Sequence, residues 1–368
     1  MSGGAGNAPV LIMAGGTGGH VFPALAVARA LRQQDEPVVW LGTDRGLEAR
    51  VVPADGFPLE KIRVQGLRGK GVVSWLLAPL RVLVAVADAI RVVRRCRPKV
   101  VLGMGGYTAG PGGIAAWLLR RPLVIHEQNA VAGLTNRLLA GFAREVLQAF
   151  PGAFSASITA RVTGNPVRAD IAALPPPASR FAGRRGPLRL LVLGGSQGAR
   201  ALNETVAGAV ALLPPELRPE IRHQAGESTR PVAEAAYRAA GVNARVETFI
   251  GDMAEAYAWA DLVLARSGAL TVAELAAAGV GAVLVPFPAA VDDHQTRNAR
   301  YLVEAGAATL LPQPELTAAR LAAELRACLD DRSLVLARAE RARALARPDA
   351  TGTIVASCLA AAGGSRHA

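Results

Sequence analysis

The sequence predicts two α/β domains, each built on a doubly wound parallel sheet, and three observations predict it. A short apolar run, a glycine cluster and an apolar-periodic stretch of helical length recur three times along the 368 residues. The first and third of these units lie about half a chain apart. Between them runs a proline-rich polar stretch. A continuous apolar run followed by a helical period is the signature of a buried parallel strand and its crossover helix.

The first unit is the strand 10–14, the loop Gly15-Gly16-Thr17-Gly18-Gly19-His20 and the helix 21–32. The second runs from 100–102 through Gly103-Met104-Gly105-Gly106-Tyr107 to a helix over 113–119. The third is 188–193, then Gly194-Gly195-Ser196-Gln197-Gly198-Ala199, then 200–213. Further strands are expected at 37–41, 123–126, 245–249, 261–265 and 282–286. Helices are expected at 75–95, 203–213, 229–240, 271–278 and 293–305, with helical chain from about 316. Repeated alternation of this kind implies doubly wound sheets. Pro166, the triple Pro175-Pro176-Pro177 and the polar run to Arg184-Arg185 have linker chemistry. We therefore expect domains at 1–166 and 167–347, with a C-terminal helix over about 348–364 returning to the first.

Hydrophobic residues make up 51% of the chain and charged residues 19%, a globular balance, and the formal charge is +12. A basic protein suits nucleic acid, an anionic membrane surface or a phosphate-rich substrate. The arginines are dispersed and aromatics are only 4%, too few for a base-stacking platform, so nucleic acid is the weakest of the three. Cys96, Cys328 and Cys358 are far apart and form no metal-ligand spacing, which points to reduced thiols. The N-terminus lacks a cationic segment followed by an apolar run, so no signal peptide is expected. Residues 101–119 carry no charge, but their glycines make strand, loop and helix a better reading than a membrane span.

A strand that feeds a glycine cluster at a helix start gathers backbone N–H groups around one point, at the positive end of the helix dipole. Glycine permits close approach and positive φ. Steric need alone explains one such loop; three, each after a strand, favour phosphate binding. The loops are not dinucleotide fingerprints, because Val21 stands where the last glycine would and Asp44 lies beyond the second strand. An NAD-dependent oxidoreductase is disfavoured on that ground.

The loops, taken in order with His126-Glu127-Gln128-Asn129, Gly164-Asn165-Pro166-Val167-Arg168 and Arg266-Ser267-Gly268-Ala269-Leu270-Thr271, closely resemble the MurG family of bacterial peptidoglycan synthesis over about residues 10–345. The resemblance implies the GT-B fold, two Rossmann-like domains facing across a cleft. It implies inverting transfer of GlcNAc from UDP-GlcNAc to the C4 hydroxyl of the MurNAc unit of lipid I, giving lipid II. It assigns the donor to the C-terminal domain. There Ser196 and Arg168 would meet the diphosphate and Ile250 the uracil. Ala269, Leu270, Thr271, Val272 and Ala273 would form the helix start near the diphosphate, Glu274 would accept from the ribose hydroxyls, and Gln295 would bond the GlcNAc hydroxyls. A carboxylate suits a vicinal diol, since each oxygen accepts one O–H.

The acceptor falls to the N-terminal domain, its diphosphate cradled by Gly15, Gly16, Gly105, Gly106 and Tyr107, while Thr17, Gly18, Gly19 and Asn129 approach the donor. Inverting transfer needs one base. His20, at the C-terminal edge of the sheet, is the candidate, with Glu127 as runner-up; His126 is either an orienting or a packing residue. The chain holds no Asp-x-Asp, and Asp292-Asp293 reads as structural, so no protein-bound metal or cofactor is implied; a divalent cation would arrive only with the diphosphate substrate. Lys70, Val72, Trp75, Leu76, Leu80, Leu83 and Trp117 read either as a membrane-surface patch or as ordinary core-facing helix. The implied place is peripheral, on the cytoplasmic face of the membrane and open to a cell-wall synthesis complex. Family members often carry a His after Pro288, where this chain has Ala289-Ala290. The alternatives are a UDP-sugar epimerase of the same fold and a non-catalytic membrane scaffold.

Overall fold

The computed structural model describes residues 8–64, 78–195 and 198–363. The chain divides into two compact units, residues 1–166 with 348–368, and residues 167–347. The first contains a seven-stranded sheet in the order β3-β2-β1-β4-β5-β6-β7, all parallel. Its strands are β1 (Val10–Met13), β2 (Val38–Gly42), β3 (Leu59–Lys61), β4 (Val100–Gly103), β5 (Leu123–Glu127), β6 (Glu145–Gln148) and β7 (Arg161–Val162). The second holds a six-stranded parallel sheet, β10-β9-β8-β11-β12-β13. Here β8 is Arg189–Leu193, β9 Glu220–Gln224, β10 Arg245–Glu247, β11 Leu262–Ala265, β12 Gly281–Leu284 and β13 Ala308–Leu310.

Period-two alternation accounts for the first core. Val10 and Ile12 enter one cluster with the helix Gly18–Arg32 and the C-terminal helix Ala350–Gly363. Leu11 and Met13 enter the opposite cluster with the helices Ala78–Cys96 and Ala109–Leu118. Both faces of β1 are covered, so the strand reads as unbroken VLIM. The C-terminal helix is pinned there by Ile354, Val355 and Cys358, and Ser357 Oγ donates to Glu145 Oε1 at 3.0 Å. In the second unit, β9 carries Arg222, His223 and Gln224 into the interior. His223 Nε2 lies 2.9 Å from Asn203 Oδ1 and Nδ1 lies 3.0 Å from the Tyr237 hydroxyl. Asn203 Nδ2 already donates to Ala225 O and Thr229 O, so its oxygen faces the ring and Nε2 is the protonated nitrogen.

Several expected boundaries shift. Helices begin at Gly18, Ala109 and Ala269, earlier than 21, 113 and 271. Glycine-rich segments that read as loop are first helical turns, where a weak helix former costs little. The strands at 245–249 and 282–286 end sooner, at Glu247 and Leu284.

In each sheet the strand order reverses once, between β1 and β4 and between β8 and β11. A doubly wound sheet opens a crevice at that point, outside the carboxyl ends of the strands. The loops leaving β1 and β4 are therefore neighbours, and they meet backbone to backbone. A Cβ on Gly106, whose φ is +79°, would sit 2.2 Å from Gly15 O. One on Gly16 (φ +94°) would lie 2.9 Å from the Tyr107 ring, and one on Gly105 (φ +88°) 2.8 Å from His20 Nδ1.

Gly106→Ala is expected to destabilise the protein by about 2–4 kcal/mol, from the left-handed backbone and the clash together. Gly141→Ala, with nothing within 4 Å of its added Cβ, should be near neutral; equal denaturation midpoints for the two variants would contradict this. Burial lowers the His223 pKa to about 4, below its ordinary value, so the unfolded chain takes the proton first. Stability is then present above about pH 6.5 and is lost as pH falls toward 4, by at most about 1.4 kcal/mol per pH unit for this ring. Denaturant titrations at about pH 7.5 and pH 5 should show that slope, reduced in His223→Gln.

Candidate functional site

The first crevice rests on a buried carboxylate. Glu48 is fully buried, and its Oε1 accepts from Thr43 N (3.1 Å) and Thr43 Oγ1 (2.8 Å). Its Oε2 accepts the amide of Gly16 at 3.1 Å. That corrects the expectation for Gly16: its N–H is turned inward, so the residue supplies a left-handed bend and not an anion donor. Gly15 is buried against Thr108 and Glu48 and shapes the loop in the same way. Thr17 takes extended backbone before the helix, and its carbonyl accepts from His20 N and Val21 N. The amides of Gly18 and Gly19 belong to the first helical turn, where N–H groups lack intrahelical partners and the dipole is positive. Tyr107 lies half-buried beside Gly16; burial and then the Glu48 charge hold its phenol above the ordinary range.

At the end of β5 the four-residue run His126 to Asn129 forms a clasp. His126 is fully buried, with Nε2 3.0 Å from Gly164 O and Nδ1 3.1 Å from Gln128 Nε2. Burial lowers its pKa to about 4. Gln128 Nε2 also donates to His126 O at 3.2 Å, and Gln128 Oε1 lies 2.9 Å from His20 Nδ1. Asn165 Nδ2 donates to Gln128 O at 3.0 Å, tying residues 164–165 to the sheet. His126 thus orients its neighbours and does not merely pack.

Glu127 is 2% exposed and both oxygens are occupied. Oε1 accepts from Asn129 N (2.9 Å) and Asn129 Nδ2 (3.2 Å), Oε2 from Gly133 N (3.1 Å) and Asn136 Nδ2 (2.9 Å). A carboxylate satisfied by four N–H donors has no lone pair turned to a substrate. This corrects its standing as a base: Glu127 holds the turn that carries Asn129. No motif marks Glu48 or Asn136 in the sequence; a Glu or Asn on a short helix ordinarily faces water.

In the second unit the loop after β8 begins Gly194-Gly195 and resumes at Gly198-Ala199; Ser196 lies outside the described residues. A Cβ on Gly198 (φ +75°) would stand 1.9 Å from Thr229 Oγ1 and 2.4 Å from Ala225 O, so the neighbouring turn also demands this glycine. Beside it, β11 leads through Arg266-Ser267 to the Gly268 cap of the helix Ala269–Ala278. Arg266 donates to Val285 O, Pro286 O and Gln313 Oε1, bracing the neighbouring strand end. Ala269 and Val272 are buried toward the core; Leu270, Thr271 and Ala273 are half-buried on the first turns.

Glu274 follows on that helix. Tyr257 Oη donates to its Oε2 at 3.0 Å, and Arg168 Nε is 3.8 Å from Oε1. Burial raises its pKa; the Arg168 charge and the Tyr257 hydrogen bond oppose the shift. Oε2 keeps one lone pair beside the Tyr257 bond, and Oε1, at ion-pair distance only from Arg168, keeps both, so each oxygen can accept one O–H of a vicinal diol. Arg168 caps the short helix Ala169–Ala172, which sets its guanidinium beside Glu274. Ile250 is buried at 2% exposure just after β10. Gln295 Oε1 accepts from Phe287 N at 2.9 Å, which leaves its NH2 as the outward-acting group. Asp292 and Asp293 both have left-handed backbone, and Asp293 accepts from Thr296 Oγ1.

Away from the crevices, Leu80 (60%) and Leu83 (66%) face solvent on the helix Ala78–Cys96, while Ala85, Ala89, Val92 and Val93 of that helix fill the core. Core packing therefore does not account for Leu80 and Leu83. Exposed Trp117 sits on the neighbouring helix Ala109–Leu118, its ring 4.9 Å from Phe142, with Leu134 and Leu138 exposed on the helix beyond. Lys70, Val72, Trp75 and Leu76 lie outside the described residues. Among the described residues no helix is long and apolar enough to cross a membrane.

Residues 10–148 match the glycosyltransferase family 28 N-terminal domain and residues 189–353 its C-terminal domain. A relative from Alkalilimnicola ehrlichii, a UDP-N-acetylglucosamine–N-acetylmuramyl-(pentapeptide) pyrophosphoryl-undecaprenol N-acetylglucosamine transferase, is 61% identical over 95% of this chain and 98% of its own. A protein of the same name from Marinobacter nauticus is 58% identical over 96% and 98%. The crystal structure of Acinetobacter baumannii MurG superposes with a TM-score of 0.84 at 43% identity, covering 95% of this chain and 99% of its own. A UDP-N-acetylglucosamine 2-epimerase from Listeria monocytogenes, described as putative, shares the fold at a TM-score of 0.65 and 14% identity. Both domain models and the near-full-length relatives agree: the chain belongs to glycosyltransferase family 28, in its MurG branch, with the GT-B fold.

Proposed function

We infer that the protein transfers GlcNAc from UDP-GlcNAc to the MurNAc C4 hydroxyl of lipid I, forming lipid II with inversion at the sugar carbon. The observation that carries this reading is the 61% identity over 95% of the chain to a transferase so named. The crevices supply matching chemistry. In the second unit, the start of the helix Ala269–Ala278 and the Arg168 guanidinium offer positive potential for a diphosphate, and Glu274 offers acceptors for the ribose diol. Ser196 and Ile250 complete the nucleotide contacts, and the Gln295 amide group takes the GlcNAc hydroxyls.

In the first unit, the amides of Gly18 and Gly19 would receive an anionic group at the helix start, and Thr17, Tyr107 and Asn129 would supply further substrate contacts. His20 is the base. Its ring nitrogen takes the C4 hydroxyl proton as the oxygen forms its bond to C1 of GlcNAc; the bond from C1 to the diphosphate oxygen breaks, and its electron pair leaves with UDP. Arg168 and the helix amides hold the charge that develops on the departing diphosphate. In this mechanism the protein holds no metal of its own; a divalent cation would enter only as a companion of the diphosphate. Leu80, Leu83 and Trp117, with Lys70, Val72, Trp75 and Leu76, would rest on the cytoplasmic membrane surface where a lipid-linked acceptor resides.

Incubated with UDP-GlcNAc and a lipid I analogue, the wild-type protein should release UDP and form the disaccharide lipid. His20→Ala should lower kcat by roughly 100-fold or more with KM for UDP-GlcNAc little changed. Glu274→Ala should chiefly raise that KM. No turnover by folded wild type would overturn the transferase reading, and conversion of UDP-GlcNAc without acceptor would favour an epimerase. An active His20→Ala would remove only the base.

A further inference from the structure

A transferring base must present a bare nitrogen, and a neutral imidazole has one bare and one protonated nitrogen. Which of the two is bare on His20 follows from a chain of hydrogen bonds in the first unit, read from its fixed ends. At one end stands Gly164 O, an obligate acceptor 3.0 Å from His126 Nε2. His126 therefore carries its proton on Nε2 and offers the lone pair of Nδ1.

At the centre, the Gln128 amide is oriented by two acceptors at once. Its Nε2 lies 3.2 Å from His126 O, which accepts only, and 3.1 Å from the bare His126 Nδ1. Reversing the amide would set its oxygen against a carbonyl oxygen and a lone pair. The side chain is 1% exposed, so water offers no substitute partner. Gln128 Oε1 is consequently the atom facing His20 Nδ1 at 2.9 Å, and an amide oxygen can only accept. The proton of neutral His20 is on Nδ1.

We propose that Gln128 and His126 are positioning residues that lock His20 in its Nδ1–H tautomer, so that Nε2 is the bare nitrogen presented at the crevice. The chain runs Gly164 O, His126, Gln128, His20, with every donor pointing toward residue 164. Among the described residues no protein group bonds to His20 Nε2. Gly105 belongs to the device, since a Cβ there would reach 2.8 Å from His20 Nδ1 and push the ring off Gln128. When Nε2 takes a proton the ring becomes an imidazolium whose Nδ1–H still donates to Gln128, so no bond in the chain is reversed. A neutral His126 is required throughout, and its complete burial enforces that state.

The catalytic consequence rests on His20 being the base; the tautomer itself does not. With five histidines in the chain, long-range proton–nitrogen correlation spectra of the full-length protein labelled with 15N-histidine are simple to assign, His20 by its loss in His20→Gln. At roughly pH 8, above the ordinary imidazole titration, His20 should show the Nδ1–H pattern and His126 the Nε2–H pattern. In Gln128→Met the His20 signals should move toward mixed tautomers. There kcat should fall roughly 10- to 100-fold, the usual effect of losing an orienting partner, with KM for UDP-GlcNAc unchanged. Wild-type His20 in the Nε2–H form would overturn the proposal, whether or not the variant folds. So would a Gln128→Met protein with an altered tautomer and undiminished kcat. The spectrum reads the tautomer and His20→Ala turnover reads the base, so the two ideas fail separately.

Discussion

The backbone contact between the loops leaving β1 and β4 constrains everything around the first crevice. Neighbouring parallel strands stand under 5 Å apart, so two loops that both turn outward at their ends must share one small space. Gly106 against Gly15, Gly16 against Tyr107 and Gly105 against His20 are the three places where a side chain would not fit. From that contact follow the left-handed bends, the start of the helix at Gly18 and the distance at which His20 meets Gln128. Buried polar groups then hold the loops from below: Glu48 under the first, and the Glu127 clasp beside the second. Glu48 accepts three N–H or O–H donors and Glu127 four, and such partners lower the cost of burying a charge.

The two units solve related problems with different parts. In both, a strand-order reversal sets two glycine-bearing loops side by side. In both, a buried histidine with a depressed pKa is held in one tautomer, by the Gly164 carbonyl in the first unit and by the Asn203 amide oxygen in the second. In the second unit that arrangement, His223 with Asn203 and Tyr237, sits inside the core under β9. In the first it runs out to the crevice and ends on His20. The difference lies in where the chain of donors stops, and that makes one network structural and the other a means of presenting a nitrogen.

Much of this was legible in the sequence because it is written in runs. The apolar strands VLIM, VVLG and LVIHE, the glycine clusters behind them and the prolines near residue 166 all carry local signals. Strands without such runs were not legible. β9 reads EIRHQ, polar yet buried, because its side chains find partners on distant helices. β3, β6, β7 and β13 are short and lie at or beside sheet edges, where one side needs no apolar cover. His126-Glu127-Gln128-Asn129 was visible as a motif, but the division of labour within it was not. Only three-dimensional partners show that Glu127 is filled by four donors and that Gln128 reaches a residue 108 positions away. Glu48 gave no signal, since nothing local distinguishes it from an exposed helical glutamate.

In the proposed function the reversal point of the second sheet holds the nucleotide while that of the first serves the acceptor and the base. Hydrogen–deuterium exchange of the full-length protein with and without saturating UDP tests it directly. Protection concentrated in residues 268–274 and the loop after β8, with the β5 clasp little changed, is the predicted result. Protection confined to residues 15–20 and 103–108, with none along the helix Ala269–Ala278, would contradict it.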